Sequence, residues 1–330
     1  MYPIKTLFPI LVFFSTLAVL PAEAEDVASA GSATLGKLRW QTADGQSVAL
    51  VGDHGPVWQF HYGPEIPKPF FHPVALHGDH VITANSPPDH RWHHGLWFSW
   101  KYINEVNYWE PADREAKTYA GRTLWKGAKI ETREDFSANI RMDLQYKGTD
   151  DVLVMTEQRT IEIAAPDPNG LLQMDWKCVF TAAGKDVTLD RTPFSTTGNG
   201  QPWGGYAGLS CRFTLDFEDR QACTADEVAT YSEDRSRPLS IAAEYNGKVE
   251  GVELGMAMLN HQDNLRDPTY WYIIRSKVMS YINAALLTYE PLVIPAGESL
   301  TLKYRVIVHP GRWDGKKLKE ESETYNESDS

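Results

Sequence analysis

The chain has 330 residues, a formal net charge of -12 at pH 7 and 12% aromatic residues. That acidity excludes a nucleic-acid partner, which needs a basic footprint, and argues against docking on anionic membranes. An acidic polysaccharide remains compatible if arginines cluster locally. Three cysteines, Cys178, Cys211 and Cys223, allow at most one internal disulfide and make no CxxC or zinc-ribbon spacing. Buried thiols are expected.

In chain order, the first element is a secretory signal over residues 1–24. Lys5 gives the positive start, residues 7–20 the apolar run, and Ala22-Glu23-Ala24 a small-x-small cleavage site. The mature chain would begin near Glu25 and be periplasmic or secreted. No later segment approaches the roughly 20 apolar residues of a spanning helix, so no integral span is expected after cleavage.

Residues 25–310 read as one domain, without internal repeat. Alternation dominates: Ile140, Met142, Leu144 and Tyr146 face one way, as do Leu172, Met174, Trp176, Cys178 and Phe180, and Leu300, Leu302, Tyr304, Val306 and Val308. Period-two patterns of this length are half-buried strands. About sixteen strands with regular turns predict an all-β fold, a large two-sheet antiparallel β-sandwich. No amphipathic helix longer than two turns is expected. His309 shares a face with Lys303 and Arg305 and is expected in solvent. The charged tail, 311–330, is expected to be disordered.

Histidine is concentrated: eight of ten lie between His54 and His94. The densest piece runs Asp89-His90-Arg91-Trp92-His93-His94-Gly95-Leu96-Trp97-Phe98-Ser99-Trp100. His72 and Pro73 precede it, and Trp109-Glu110 follows. A strand starting near His94 would put His94, Leu96, Phe98 and Trp100 on one face and His93, Trp97 and Ser99 on the other. Pro87-Pro88 forces an extended approach, so His90 falls in a loop at the mouth of the strand. Three readings stay open. The histidines are ordinary hydrogen-bonding groups; or His90 and His94 are acid/base groups partnered by Asp89 or Glu110; or His72, His90 and His94 hold a divalent metal. The spacing matches no stringent metal motif, and no cofactor is expected.

Trp97, Trp100 and Trp203 offer flat faces for a sugar ring, next to core packing as the alternative. Residues 196–206 form a Gly-rich stretch carrying Trp203 and Tyr206, followed by Arg212, which could face an anion. It is not a phosphate loop. A third stretch, 260–271, is denser in polar residues than a turn requires. There His261 and Arg266 are the candidates.

Phe71-His72-Pro73, Pro88-Asp89-His90, His93-His94-Gly95-Leu96-Trp97, Trp109-Glu110, Tyr206-x-Gly208-Leu209 with Arg212, the 260–268 loop and Pro295-Ala-Gly-Glu298 together resemble the bacterial PmoA-like family. The resemblance spans about residues 70–309. The family's label, methane oxygenase, does not carry over, because a particulate methane monooxygenase subunit is an integral membrane protein. The resemblance implies instead a galactose-mutarotase-like supersandwich, a fold of sugar lyases, hydrolases and epimerases. The function expected is an exported carbohydrate-active enzyme that cleaves or epimerises a glycoside. His90 or His94 would be the acid/base and Glu110 or Asp89 its partner. His72, Trp97, Trp100, Trp203, Tyr206, Arg212, His261 and Arg266 would bind the substrate. The alternatives are a non-catalytic carbohydrate-binding module and the metal-dependent oxidoreductase of the label.

Overall fold

The computed structural model describes residues 36–115, 117–195 and 200–328. They fall within the compact unit Ala33–Ser330. The expected signal, residues 1–24, lies outside them, as do residues 196–199 of the Gly-rich stretch.

Period-two alternation becomes strands with one apolar face. On Leu172–Ala182 the residues Leu172, Met174, Trp176, Cys178 and Phe180 are buried, and on Ala138–Lys147 so are Ile140, Met142, Leu144 and Tyr146. Leu172–Ala182 pairs antiparallel with Leu153–Ile163 and with Ser299–Pro310, setting Trp176 opposite Ile161 on one side and Tyr304 on the other. A slip of one residue would turn every apolar side chain into water, so the pattern itself fixes the register.

Among the described residues, these strands belong to a nine-stranded sheet. Its path continues through Val252–Asn260 and Ala242–Val249 to Glu218–Thr224. An eleven-stranded sheet faces it. Its path runs Arg39–Ala43, Ser47–Val51, Pro56–His61, Phe70–Leu76, Leu96–Ser99, Gly208–Phe213, Ser280–Ala284, Thr269–Arg275 and Arg235–Ser236. Between them Trp58, Phe71, Leu96, Phe98, Cys211 and Ile282 pack on Tyr146, Trp176, Cys178 and Phe180. Phe71 meets Trp176 at 5.7 Å between ring centres, and Phe98 meets Phe180 at 5.2 Å. The fold is the expected all-β antiparallel sandwich of two large sheets, with a further four-stranded sheet of Leu292–Ile294, Val187–Asp190, Tyr102–Ile103 and Val106–Asn107. The described residues form twenty-four strands, not about sixteen, because several pairings span only two residues. All three cysteines are buried and free.

The end of the chain departs from expectation. Where disorder was predicted over 311–330, Gly315–Ser328 forms helix α1. Asp314 caps it, its Oδ1 accepting the Lys317 backbone N–H at 2.8 Å. Leu318, Ser322 and Tyr325 share one face and are buried. They cover Ala242, Ala257, Leu259 and Ile307 on the outer side of the nine-stranded sheet. The same cover overturns the exposed placement of His309. That ring is 0% exposed, lies 3.2 Å from Glu244 Oε1 and stacks on Trp313 at 3.8 Å.

Candidate functional site

Alternation along the eleven-stranded sheet supplies a second aromatic surface on its outer face. Where Leu96 and Phe98 enter the core, Trp97 points the other way; where Trp271 and Ile273 enter it, Tyr272 and Ile274 do the same; where Ile282 enters it, so does Tyr281. Phe70, Trp92, Trp97, Trp109, Tyr272 and Tyr281 bury together there. Gly95 breaks the alternation just ahead of the strand. Its φ is 55°, and a Cβ on it would lie 2.1 Å from the Phe71 carbonyl oxygen. As a result His94 stacks on Phe70 at 4.9 Å and does not share the core face of Leu96, Phe98 and Trp100.

A cavity of about 410 Å³ lies over this surface. One side is the 87–93 turn, closed by His90 N–H to Pro87 O at 3.1 Å and His93 N–H to His90 O at 3.0 Å. The turn presents His90, whose Nδ1 lies 3.0 Å from Asp89 Oδ2. Arg212, 1% exposed, donates from Nη2 to both Asp89 oxygens at 2.9 and 2.8 Å. Burial works to raise the pKa of Asp89, but the hydrogen bonds and charges of Arg212 and His90 outweigh it and hold the carboxyl below its ordinary range. An ionised Asp89 draws the proton to His90 Nδ1, which leaves Nε2 as the basic nitrogen. Behind it, His93 packs on His90 at 4.7 Å and Tyr281 at 5.4 Å. Burial drives the His93 pKa well down, so that ring is neutral.

Glu110 lines another part of the cavity. Its Oε1 accepts Lys101 Nζ at 2.5 Å and Asn107 Nδ2 at 3.2 Å. Burial raises the carboxyl and Lys101 more than reverses it, so Glu110 is ionised. Beneath, buried Lys68 donates to the Trp109 carbonyl at 2.7 Å, and its desolvation brings its pKa down to about 7. Trp203, 43% exposed, and Tyr206, parallel to Tyr272, complete the aromatic walls with Trp92 and Trp109. Arg114 lies 4.7 Å from the Trp92 ring, and Arg235 Nε donates to Tyr272 Oη at 3.1 Å.

Of the expected site residues, the structure therefore brings together Asp89, His90, Glu110, Trp203 and Tyr206, with Arg212 behind Asp89. Trp97, 0% exposed, lies beneath the cavity rather than on its wall, 5.1 Å from His93 and 5.6 Å from Trp109. Trp100 does not line the site as expected: just past the strand Leu96–Ser99 it continues the inward face of Leu96 and Phe98 and packs inside the sandwich on Phe98 and Phe180. His72 lines no part of the cavity; its Nδ1 bonds Thr83 Oγ1 at 3.0 Å. His94 is likewise absent from it. Its Nδ1 bonds Asn85 Oδ1 at 2.8 Å, and burial lowers its pKa to about 3. The 260–268 stretch is a crossing between sheets, from Val252–Asn260 to Thr269–Arg275. Its polar residues serve that crossing. His261 packs on Tyr325 of α1 at 5.1 Å, and Arg266 donates to the carbonyls of Leu286, Glu290 and Pro291. Neither reaches the cavity.

His72, His90 and His94, the set named for a metal if one were held, each turn to a different partner. Among the described residues no three His, Cys, Asp or Glu side chains are grouped to hold a metal ion. The reading by residue type missed His93, Arg114, Arg235, Tyr272 and Tyr281 on the cavity wall. The outward position of Tyr272 between Trp271 and Ile273 was a signal that could have found it.

A family model matches residues 47–323. The chain belongs to the family of unknown function DUF6807. No curated protein matches it. Solved structures that resemble this DUF6807 chain include a candidate aldose 1-epimerase from Klebsiella pneumoniae, at 8% identity and TM-score 0.45 over 88% of this chain and 87% of that one. A candidate mutarotase from Salmonella typhimurium gives 10% identity and TM-score 0.39 over 83% and 94%. A galactose mutarotase related enzyme from Lactobacillus acidophilus gives 10% and 0.34 over 83% and 97%. Among the described residues no helix is long and apolar enough to cross a membrane.

Proposed function

We propose that this protein is an exported carbohydrate-active enzyme that cleaves or epimerises a glycoside by acid–base chemistry. One observation carries the reading: a single cavity gathers a His90–Asp89 pair, a second ionised carboxylate at Glu110, and aromatic faces from Trp92, Trp109, Trp203 and Tyr206. Its volume of about 410 Å³ lies within the roughly 300–1,000 Å³ of small-ligand sites. Indole and phenol faces suit the C–H faces of a sugar, and their polar edges suit its hydroxyls.

In this mechanism His90, protonated at Nε2 and oriented by Asp89, gives its proton to the oxygen departing from the anomeric carbon. Glu110 takes a proton from the hydroxyl that attacks or that collapses to the carbonyl. Arg212 keeps Asp89 ionised, so the imidazole is returned to the same orientation after each cycle. No cofactor is called upon. The PmoA-like resemblance of the histidine segment belongs to this proposal for the sugar-handling fold it implies. The periplasmic or secreted location rests on the signal pattern of residues 1–24.

The test is product analysis by mass spectrometry on a glycan panel, with wild type, His90→Ala and Glu110→Gln. General acid–base groups contribute roughly 100-fold or more, so each variant should lose at least that much in rate. Full activity in both would sink the mechanism, and binding without any product would make the protein a sugar-binding module. Sequencing the N-terminus of the protein recovered from the periplasm or medium tests export.

A further inference from the structure

Next to the sugar cavity lies a larger one of about 990 Å³, and the two share Asp89, Trp92 and Arg114. The stacked Trp92 and Arg114 side chains stand between them as a sill. Two ring nitrogens on the shared and outer walls, Trp92 Nε1 and His94 Nε2, have no hydrogen-bond partner among the described residues. The first is a donor. The second is an acceptor, because His94 Nδ1 carries the proton given to Asn85 Oδ1. Both atoms are buried behind the wall, so they mark it as polar without themselves meeting a ligand in the cleft.

The walls of this second cavity carry a slight excess of cations in an acidic chain, Arg91, Arg114, Lys117 and Arg122 against Glu65, Asp89 and Glu115. Arg91, Arg114 and Lys117 on its walls have no carboxylate within ion-pair distance among the described residues. Its carboxylates are Asp89, already held by Arg212, Glu65 and Glu115. Arg122, also on the wall, pairs with Asp151. In a molecule of net charge -12, unpaired cations gathered in one cleft favour an anionic ligand. Trp125 and Tyr119 add aromatic faces.

We infer that the larger cavity is a glycan subsite that takes the sugar units next to the reacting one, and that it selects units bearing a carboxylate. The substrate is then an acidic oligo- or polysaccharide lying across the Trp92–Arg114 sill. This rests on the sugar reading of the smaller cavity. Arg114, which reaches both cavities, binds the carboxylate nearest the junction; Arg91 and Lys117 bind those further along.

Isothermal titration calorimetry with three probes tests it: a uronate-containing tetrasaccharide, a neutral tetrasaccharide of equal length, and the free monosaccharide uronate. Wild type should bind the acidic tetrasaccharide at least tenfold more tightly than the other two, with the preference weakening as salt rises. The double variant Arg91→Ser/Lys117→Ser changes two exposed side chains. It should lose about tenfold on the acidic tetrasaccharide and nothing on the monosaccharide. Equal binding of acidic and neutral tetrasaccharides, or an unchanged double variant, overturns the subsite while leaving the smaller cavity as a sugar site. No binding of any of the three probes overturns the sugar reading itself and the subsite with it.

Discussion

Three residues separate His90 from His94, and their surroundings give them opposite properties. His90 is half-buried against an ionised carboxylate, in a turn that opens on the cavity. His94 is 8% exposed, bonds a neutral amide and is kept uncharged by desolvation down to a pH of about 3. A ring that cannot charge in the working range is a poor proton donor. His90→Ala is therefore expected to lower kcat by at least about 100-fold with little change in Tm, while His94→Gln keeps kcat within a few fold; steady-state kinetics beside calorimetry separates the two. The tryptophans divide in the same way. Trp100→Ala removes a core side chain and should cost about 3–5 kcal/mol in urea unfolding without a specific effect on sugar affinity. Trp203→Ala, at a position 43% exposed, should leave unfolding unchanged and weaken sugar binding by tenfold or more in fluorescence titration. The opposite pattern at Trp203 would remove it from the site, and the opposite pattern at Trp100 would overturn its placement in the core.

Elements show how much the sequence could disclose. Strands were legible because burial on one face writes itself as alternation, as on Ala138–Lys147 and Leu172–Ala182. Which side of a strand faced a ligand was not legible. Trp97 and Trp100 are equally aromatic, and only the packing of two sheets separates them. The left-handed turn at Gly95 also moved His94 across the strand without altering the local pattern of residue types. Helix α1 escaped because its buried face consists of Leu318, Ser322 and Tyr325, with Lys316–Glu320 and Lys317–Glu321 pairs filling the exposed side. Two large apolar residues in fourteen do not make a visible stripe, yet they cover Ala257, Leu259 and Ile307. The 260–268 loop misled for the converse reason: its polar residues hold a sheet crossing, with Asn264 bonded to both the N–H and the carbonyl of Lys303. Leu318, 0% exposed, is the anchor of the helix. Leu318→Ala should cost about 2–5 kcal/mol, read as a lower urea midpoint together with faster hydrogen exchange in α1 and in the strand Val252–Asn260. A loss under about 0.5 kcal/mol would mean that α1 does not contribute to the fold.

At the scale of the whole molecule, the histidines that line and back the outer aromatic face make the sandwich sensitive to acid. His94 and His93 have folded pKa values far below the ordinary 6.5, chiefly through burial. His72 is held at about 4, by burial first and the nearby His61 second. All three shifts are depressions, so the unfolded chain binds more protons than the folded one once the pH drops below about 6.5. Stability is fully present above that value and is lost as the pH falls toward about 4 for His72 and about 3 for His94. For His94 alone the span from 6.5 to about 3 amounts to something on the order of 4–5 kcal/mol, a large part of the roughly 5–15 kcal/mol that holds a domain folded. Asp89 and Glu110 also have depressed pKa values, and their contribution is lost at lower pH, beneath the ordinary carboxylate range. The two regimes can therefore be told apart. Urea midpoints measured from pH 8 to pH 4.5 should be flat down to about 6.5 and then fall steadily, well before carboxylates titrate. His94→Gln keeps an amide in place of the imidazole and removes one titrating ring, so its midpoint should fall less steeply by close to one proton. A wild-type midpoint that stays level from pH 7 to pH 5, or a variant with an unchanged slope, would show that these rings are not held neutral by the fold.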